Sequence, residues 1–92
     1  MRRMGWVETA RGRIGMVEQG SGGVPLVLLH GVGSDKSVWR PQMEHFGRER
    51  RTIALDYPGY GQSEPQADAS RDDFAASALA AMDALEIDRA HV

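Results

Sequence analysis

Apolar and polar positions alternate over two short runs near the start of the chain, residues 5–10 and 13–18. Alternation with a period of two is typical of a strand that buries one face. Gly12 lies between the runs and can supply the positive φ of a tight turn. We therefore predict an antiparallel hairpin for this part of the chain.

The pattern changes after a glycine-rich break to a continuous apolar run, residues 24–29. A run without alternation predicts a strand that is buried on both faces. Beyond it, Trp39, Met43 and Phe46 have the i, i+4, i+7 spacing of one helix face. We expect this helix to end near Gly47.

A second strand and helix follow. Residues 51–56 predict a buried strand, and residues 57–65 form a loop dense in turn residues. Ser70 is a suitable N-cap for the next helix, and His91 begins what we interpret as one more strand. One apolar stripe marks the helix: Phe74, Ala78, Ala81, Met82 and Leu85.

The order of these elements predicts an α/β fold, in which an antiparallel hairpin is followed by parallel strands with flanking helices. Strands buried on both faces also need neighbouring strands at both edges. The strands predicted within these 92 residues are too few to provide them. We therefore expect residues 1–92 to be a fragment of a single domain.

Composition and charge argue against several classes of function. The net charge of −2 provides no basic field for nucleic acid, and the longest nearly apolar stretch, residues 74–82, is too short to span a membrane. The chain has no cysteine, and no His/Asp spacing suggests a metal site. We expect a cytoplasmic protein.

Arg48, Arg50 and Arg51 form a small basic cluster that we expect to lie in a solvated loop.

Two segments and one aromatic residue carry a family resemblance. Residues 25–33 contain an apolar strand followed by His30-Gly31, Trp39 comes shortly after, and residues 56–63 read Asp-x-Pro-Gly-x-Gly-x-Ser. Together, and in this order, they resemble the N-terminal portion of the α/β-hydrolase superfamily. The resemblance implies that residues 1–92 are an N-terminal fragment of a single domain of this fold. The greatest similarity is to 3-oxoadipate enol-lactonases and esterase-like members.

The resemblance implies acyl transfer by a Ser-His-Asp triad without a cofactor. The backbone N–H of Val32 would supply half of the oxyanion hole, where a developing negative oxygen is stabilised. Gly31 and Gly33 would let a small ester or lactone substrate approach the backbone. Trp39 either lines the acyl pocket or belongs to the core, and both interpretations stay open here.

His30 and Asp56 are expected to be structural residues near the site. In this superfamily the catalytic histidine comes last in chain order, after the serine and the acid. Asp56 precedes the expected position of the nucleophile and lies in a turn-forming loop. Neither residue is therefore predicted to belong to the triad.

The nucleophile motif is missing. None of the serines lies in Gly-x-Ser-x-Gly, and the resemblance places that motif directly beyond Val92. We expect a second polypeptide that begins near the position after Val92 and carries the motif and the rest of the triad. Alone, residues 1–92 should not catalyse acyl transfer.

Two other functions compete with this one. Gly31-Val32-Gly33 after a strand, with Asp56 ending the next strand, partly matches a dinucleotide-binding module. Lys36 occupies the position of its third glycine, which counts against it. The other alternative is a truncated, non-catalytic hydrolase-like chain that acts only as a binding partner.

Overall fold

The computed structural model describes residues 2–31, 34–63, 65 and 70–92. It confirms the predicted hairpin: β1 (Arg2–Thr9) pairs antiparallel with β2 (Gly12–Gln19) along their full length. Gly12 follows the turn with φ of +95°, a value that favours glycine. β1 begins three residues before the alternating run and ends one residue before the end of that run, and β2 is one residue longer at each end, because backbone pairing does not depend on the alternation of side chains.

Two parallel strands complete a four-stranded sheet. β3 (Leu26–Leu29) pairs parallel with β4 (Thr52–Leu55), and β4 pairs antiparallel with β2, so the order is β1-β2-β4-β3. On the other side of β3, His91 forms a parallel bridge with Leu26. The Val27 N–H donates to the His91 carbonyl at 2.8 Å. The strand that we predicted to begin at His91 is thus present as a bridge beside β3.

The first predicted helix has two parts. A 3₁₀ turn (Lys36–Trp39) precedes α1 (Arg40–Phe46), and Gly47 is the C-cap as expected. The Asp35 side chain caps the 3₁₀ turn by accepting from the Ser37 N–H at 2.8 Å. This local cap starts the turn before the apolar spacing begins, which the spacing alone did not indicate.

The second helix, α2 (Arg71–Ala84), begins at Ser70 as predicted. Ser70 and Asp73 form a reciprocal capping box, which satisfies two of the backbone donors that a helix start leaves free. The hydrogen bonds from Ser70 lower the pKa of Asp73 below its ordinary value. Among the residues described, no helix reaches the length and apolarity that crossing a bilayer requires.

The two helices pack on opposite faces of the sheet. One cluster lies under α2 and the other under α1, and alternate residues of β4 contribute to each. β4 is fully buried, as predicted, whereas in β3 only Val27 is. The cluster on the α2 face is Ile14, Met16, Val27, Ile53, Leu55, Ala81 and Ile87, and the cluster on the α1 face is Val17, Met43 and Ala54.

The basic cluster lies in the loop before β4, as expected, with Arg48 exposed and with Arg50 and Arg51 half-buried. Arg51 and Arg3 both donate to the carboxylate of Glu18, whose side chain is only 7% exposed. Arg50 is partly buried and donates to the Val24 carbonyl. Burial alone would raise the pKa of Glu18, but the hydrogen bonds from the two arginines hold it below its ordinary value. Sequence spacing did not reveal this pairing because its members come from three different strand ends.

Candidate active-site loops

Two loops meet at one edge of the sheet. The β3 loop (residues 30–35) and the β4 loop (residues 56–63) follow the carboxyl ends of neighbouring parallel strands. In open α/β sheets this edge is where ligands bind. Val32 and Gly33 lie outside the described residues, so the predicted oxyanion donor stays a prediction.

His30 links the two loops. It is 3% exposed, and its Nε2 accepts a hydrogen bond from the Tyr57 N–H at 3.0 Å. Its Nδ1 lies 2.7 Å from the Gly31 carbonyl, so a single tautomer with the proton on Nδ1 satisfies both ring nitrogens. The ring also lies against Tyr57 and Tyr60, at centroid distances of 4.6 and 5.3 Å. With both nitrogens occupied, the geometry favours the structural role predicted for His30.

Asp56 is buried between the loops and is 1% exposed. Its Oδ1 accepts from the Lys36 N–H at 2.8 Å, and its Oδ2 accepts from the Lys36 ammonium at 2.8 Å and from the Gln62 N–H at 3.0 Å. A carboxylate held in this way is not free to bind a ribose, which counts against the dinucleotide-binding alternative. The described part of the chain brings together no group of three side chains suited to hold a metal ion.

Ser63 fixes the far end of the β4 loop. Its Oγ donates to the Asp56 carbonyl at 2.7 Å and accepts from the Gly15 N–H at 2.9 Å. A Cβ at Gly15 would lie 2.2 Å from Asp56 Oδ2, and one at Gly61 would lie 2.3 Å from the same oxygen. Both glycines are therefore required for the carboxylate to occupy this space, and Gly61 also has a φ of +51°.

Trp39 lies on the α1 face of the sheet. It is partly buried and packs against the cluster of Val17, Met43 and Ala54. Its Nε1 is buried and has no hydrogen-bond partner among the described residues. Of the two interpretations left open by the sequence, the packing supports a core residue, and lining of the acyl pocket stays a prediction.

Gly31 is exposed, and a Cβ built there would meet no described atom within 4 Å. Open space next to the backbone is what the predicted approach of a substrate requires. Lys36 and Ser63 were not singled out as site residues from the sequence. Lys36 contacts Asp56 from 20 residues away, and Ser63 contacts Gly15 from 48 residues away. Local spacing carries no signal of these two contacts, although the bond from Ser63 to Asp56 lies within the motif of the β4 loop.

These observations agree with comparisons to known proteins. A family profile described as "alpha/beta hydrolase fold" matches residues 24–92. The chain belongs to this family. Over 58 residues it is 52% identical to (E)-2-((N-methylformamido)methylene)succinate hydrolase of Acinetobacter baylyi. The matched segment covers 62% of this chain and 22% of that protein.

Two solved structures show the same arrangement of elements. The N-acyl homoserine lactonase AidH, complexed with N-hexanoyl homoserine, superposes with a TM-score of 0.89 and 33% identity over 98% of this chain and 34% of that one. The enol-lactonase from Burkholderia xenovorans gives a TM-score of 0.79 and 25% identity over 92% of this chain and 34% of that one. The chain thus spans about a third of these proteins or less.

Proposed function

We propose that this chain forms the oxyanion-loop portion of a hydrolase that cleaves a carboxylic ester or a lactone without a cofactor. In this proposal the Val32 N–H binds the developing oxyanion, and Gly31 and Gly33 border the substrate. His30 and Asp56 hold the surrounding loops. The proposal is supported by family membership and by the structural similarity to two lactonases.

One observation carries the proposal furthest. The β3 loop, which contains Val32, is bonded to the β4 loop through the contact between His30 and the Tyr57 N–H at 3.0 Å. A backbone donor contributes to catalysis when it is held in place before charge develops, because no reorganisation is then needed during the reaction. A loop tied down at its first residue satisfies that requirement better than one that ends freely in solvent.

The nucleophile is proposed to lie on a second polypeptide that begins near the position after Val92 and carries Gly-x-Ser-x-Gly. The bridge between Leu26 and His91 supports the location of this motif beside β3, because a strand continuing from His91 would run parallel to β3. Its carboxyl end would then reach the edge where the β3 loop lies. Ladder hydrogen bonds and apolar contacts across β3 would keep the two polypeptides together.

The experiment is to incubate the purified native protein with p-nitrophenyl acetate and with N-hexanoyl homoserine lactone, without added metal or cofactor. We expect hydrolysis of at least one of them. A fluorophosphonate probe, which reacts with activated serines, should label the polypeptide that carries the nucleophile. Amino-terminal sequencing of the labelled band should give Gly-x-Ser-x-Gly close to its start.

The outcomes separate the alternatives. Label on a second polypeptide supports the split arrangement, and label on a chain that also contains residues 1–92 contradicts it while leaving the hydrolase intact. Absence of both hydrolysis and labelling favours the non-catalytic binding partner. Saturable binding of a nicotinamide dinucleotide, measured by fluorescence titration, would favour the dinucleotide-binding module.

A further inference from the structure

Lys36 begins the 3₁₀ turn that follows the β3 loop, and two of its own groups hold Asp56. Its backbone N–H donates to Oδ1 and its ammonium donates to Oδ2, each at 2.8 Å. The two side chains are 10% and 0% exposed. Because both bonds come from one residue, they fix the position and the orientation of residue 36 relative to the end of β4.

The other end of the β3 loop is fixed to the next residue of the β4 loop. The Tyr57 N–H donates to Nε2 of His30, while Asp56 holds Lys36. His30, the first residue of the β3 loop, and Lys36, the residue directly after it, are therefore bonded to two consecutive residues of the chain. Two anchors restrict the path of a short loop more than one does, since the second removes rotation about the first.

The carboxylate of Asp56 has little room to follow a displaced loop. Gly15 and Gly61 pack so closely that a Cβ on either would lie 2.2 or 2.3 Å from Oδ2. Gln62 also donates its backbone N–H to that oxygen at 3.0 Å. Without the ammonium of Lys36, the carboxylate would stay buried in the same place, and the loop rather than the carboxylate would have to adjust.

We infer that Lys36 is a positioning residue for the reaction: its ion pair with Asp56 fixes the β3 loop against the β4 loop and so holds the oxyanion donor in place. This inference rests on the proposed function. Lys36 does not touch the substrate, because its ammonium is already bonded and nearly buried. Small misplacement of a catalytic group lowers the rate steeply while ground-state contacts persist. Loss of Lys36 should therefore lower turnover more than affinity.

The test compares Lys36→Met with a matched control, Arg40→Met, in the purified native protein. Both changes remove one positive charge, and Arg40 is exposed on the next turn of the chain. With p-nitrophenyl acetate as the probe, we expect Lys36→Met to lower kcat by about 10-fold to 10²-fold, with KM changed by less than about twofold. Arg40→Met should match the parent protein in both parameters.

Amide hydrogen exchange provides a readout that does not depend on activity. Faster exchange is expected in residues 34–36 and 57–63 of Lys36→Met, with Arg40→Met unchanged, because the two loops lose a shared anchor. Unchanged exchange in these segments would overturn the inference. So would a kcat equal to that of the parent, or a fall in kcat/KM that comes only from a higher KM.

A double variant, Lys36→Met with Asp56→Asn, keeps the test decisive if the single variant is too unstable to purify. It removes the buried charge and keeps a side-chain oxygen for the Lys36 backbone N–H. We expect it to fold and still to have a lowered kcat, and full turnover would overturn the inference. A parent protein that hydrolyses no ester or lactone refutes the proposed function itself, and this outcome is read from the parent alone.

Discussion

Two buried carboxylates lie at opposite ends of β4, and the protein satisfies them in different ways. Asp56, after the carboxyl end, is fully enclosed and is held by one nearly buried ammonium and two backbone N–H groups. Glu18, beside the amino end, is held by Arg3 and Arg51, whose side chains are 67% and 27% exposed. The pairing of Asp56 is sealed from water. In the pairing of Glu18, the two arginine side chains stay partly exposed to water.

Because of this difference, we expect the end of the sheet at Asp56, the sealed end, to be rigid. We expect the end at Glu18, the adaptable end, to adjust more easily. Exposed guanidinium groups retain much of their hydration, so an ion pair with them adds little net stability and is easily replaced by water. A sealed carboxylate depends on protein groups alone, and removing one partner leaves the other buried and unsatisfied. The sealed pair lies at the edge that carries the candidate site, where fixed geometry matters most.

The largest expected effect is on stability at the sealed end. Asp56→Ala leaves the Lys36 ammonium buried without its partner, and we expect a loss of about 3–5 kcal/mol in the free energy of unfolding. Urea denaturation of the native protein measures this. Asp88→Ala, at an exposed acid, is the control and should change the free energy by less than about 0.5 kcal/mol. Equal losses in the two variants would remove the distinction drawn for Asp56.

The next effect concerns turnover at the same end. Val32→Pro removes the predicted oxyanion donor and should lower kcat by about 10²–10³-fold, whereas Val32→Ala keeps the N–H and should stay close to the parent. Proline also restricts φ, so the melting temperature and the affinity for a product analogue are measured alongside. Parent-like turnover in Val32→Pro, with its fold intact, would exclude Val32 from the mechanism.

A smaller effect is expected at the adaptable end. Glu18→Gln keeps the shape and loses the charge, and we expect a loss of about 1 kcal/mol in the free energy of unfolding, because the arginines of the pairing can be hydrated. The difference from the parent should shrink in 1 M salt. A loss as large as that of Asp56→Ala would mean that the two ends are equally sealed.

The smallest effect is the pH dependence of that pairing. The folded protein lowers the pKa of Glu18 below its ordinary value of 4.5 through hydrogen bonds from Arg3 and Arg51, which outweigh the effect of burial. The stabilisation is therefore present above pH 4.5 and is lost as the pH falls through the lower, folded-state pKa. Melting temperatures of parent and Glu18→Gln should differ at pH 7 and converge in acid. A constant difference would contradict the assignment.

Much of the fold could be predicted because local sequence patterns determine where its strands and helices form. The period of two predicted β1 and β2, and the capping residue Ser70 predicted where α2 begins. The 3₁₀ turn before α1 was missed because the Asp35 cap lies outside the apolar periodicity. The burial of β3 was predicted too strongly, since burial depends on neighbours that the pattern of one strand does not describe.

The candidate site, like the fold, could be predicted from the sequence only in part. The sequence by itself determined which residue types follow β3 and β4, and those motifs sufficed to indicate the family. The roles predicted for His30 and Asp56, beside the site rather than in the triad, stay predictions. Only the tertiary structure decided that Lys36 pairs with Asp56, 20 residues away, and that Glu18 is enclosed by two arginines. The reason is physical: periodicity records which face of an element is apolar, whereas a buried charge finds its partner only when parallel strands bring separate loops to one edge and exclude water from between them.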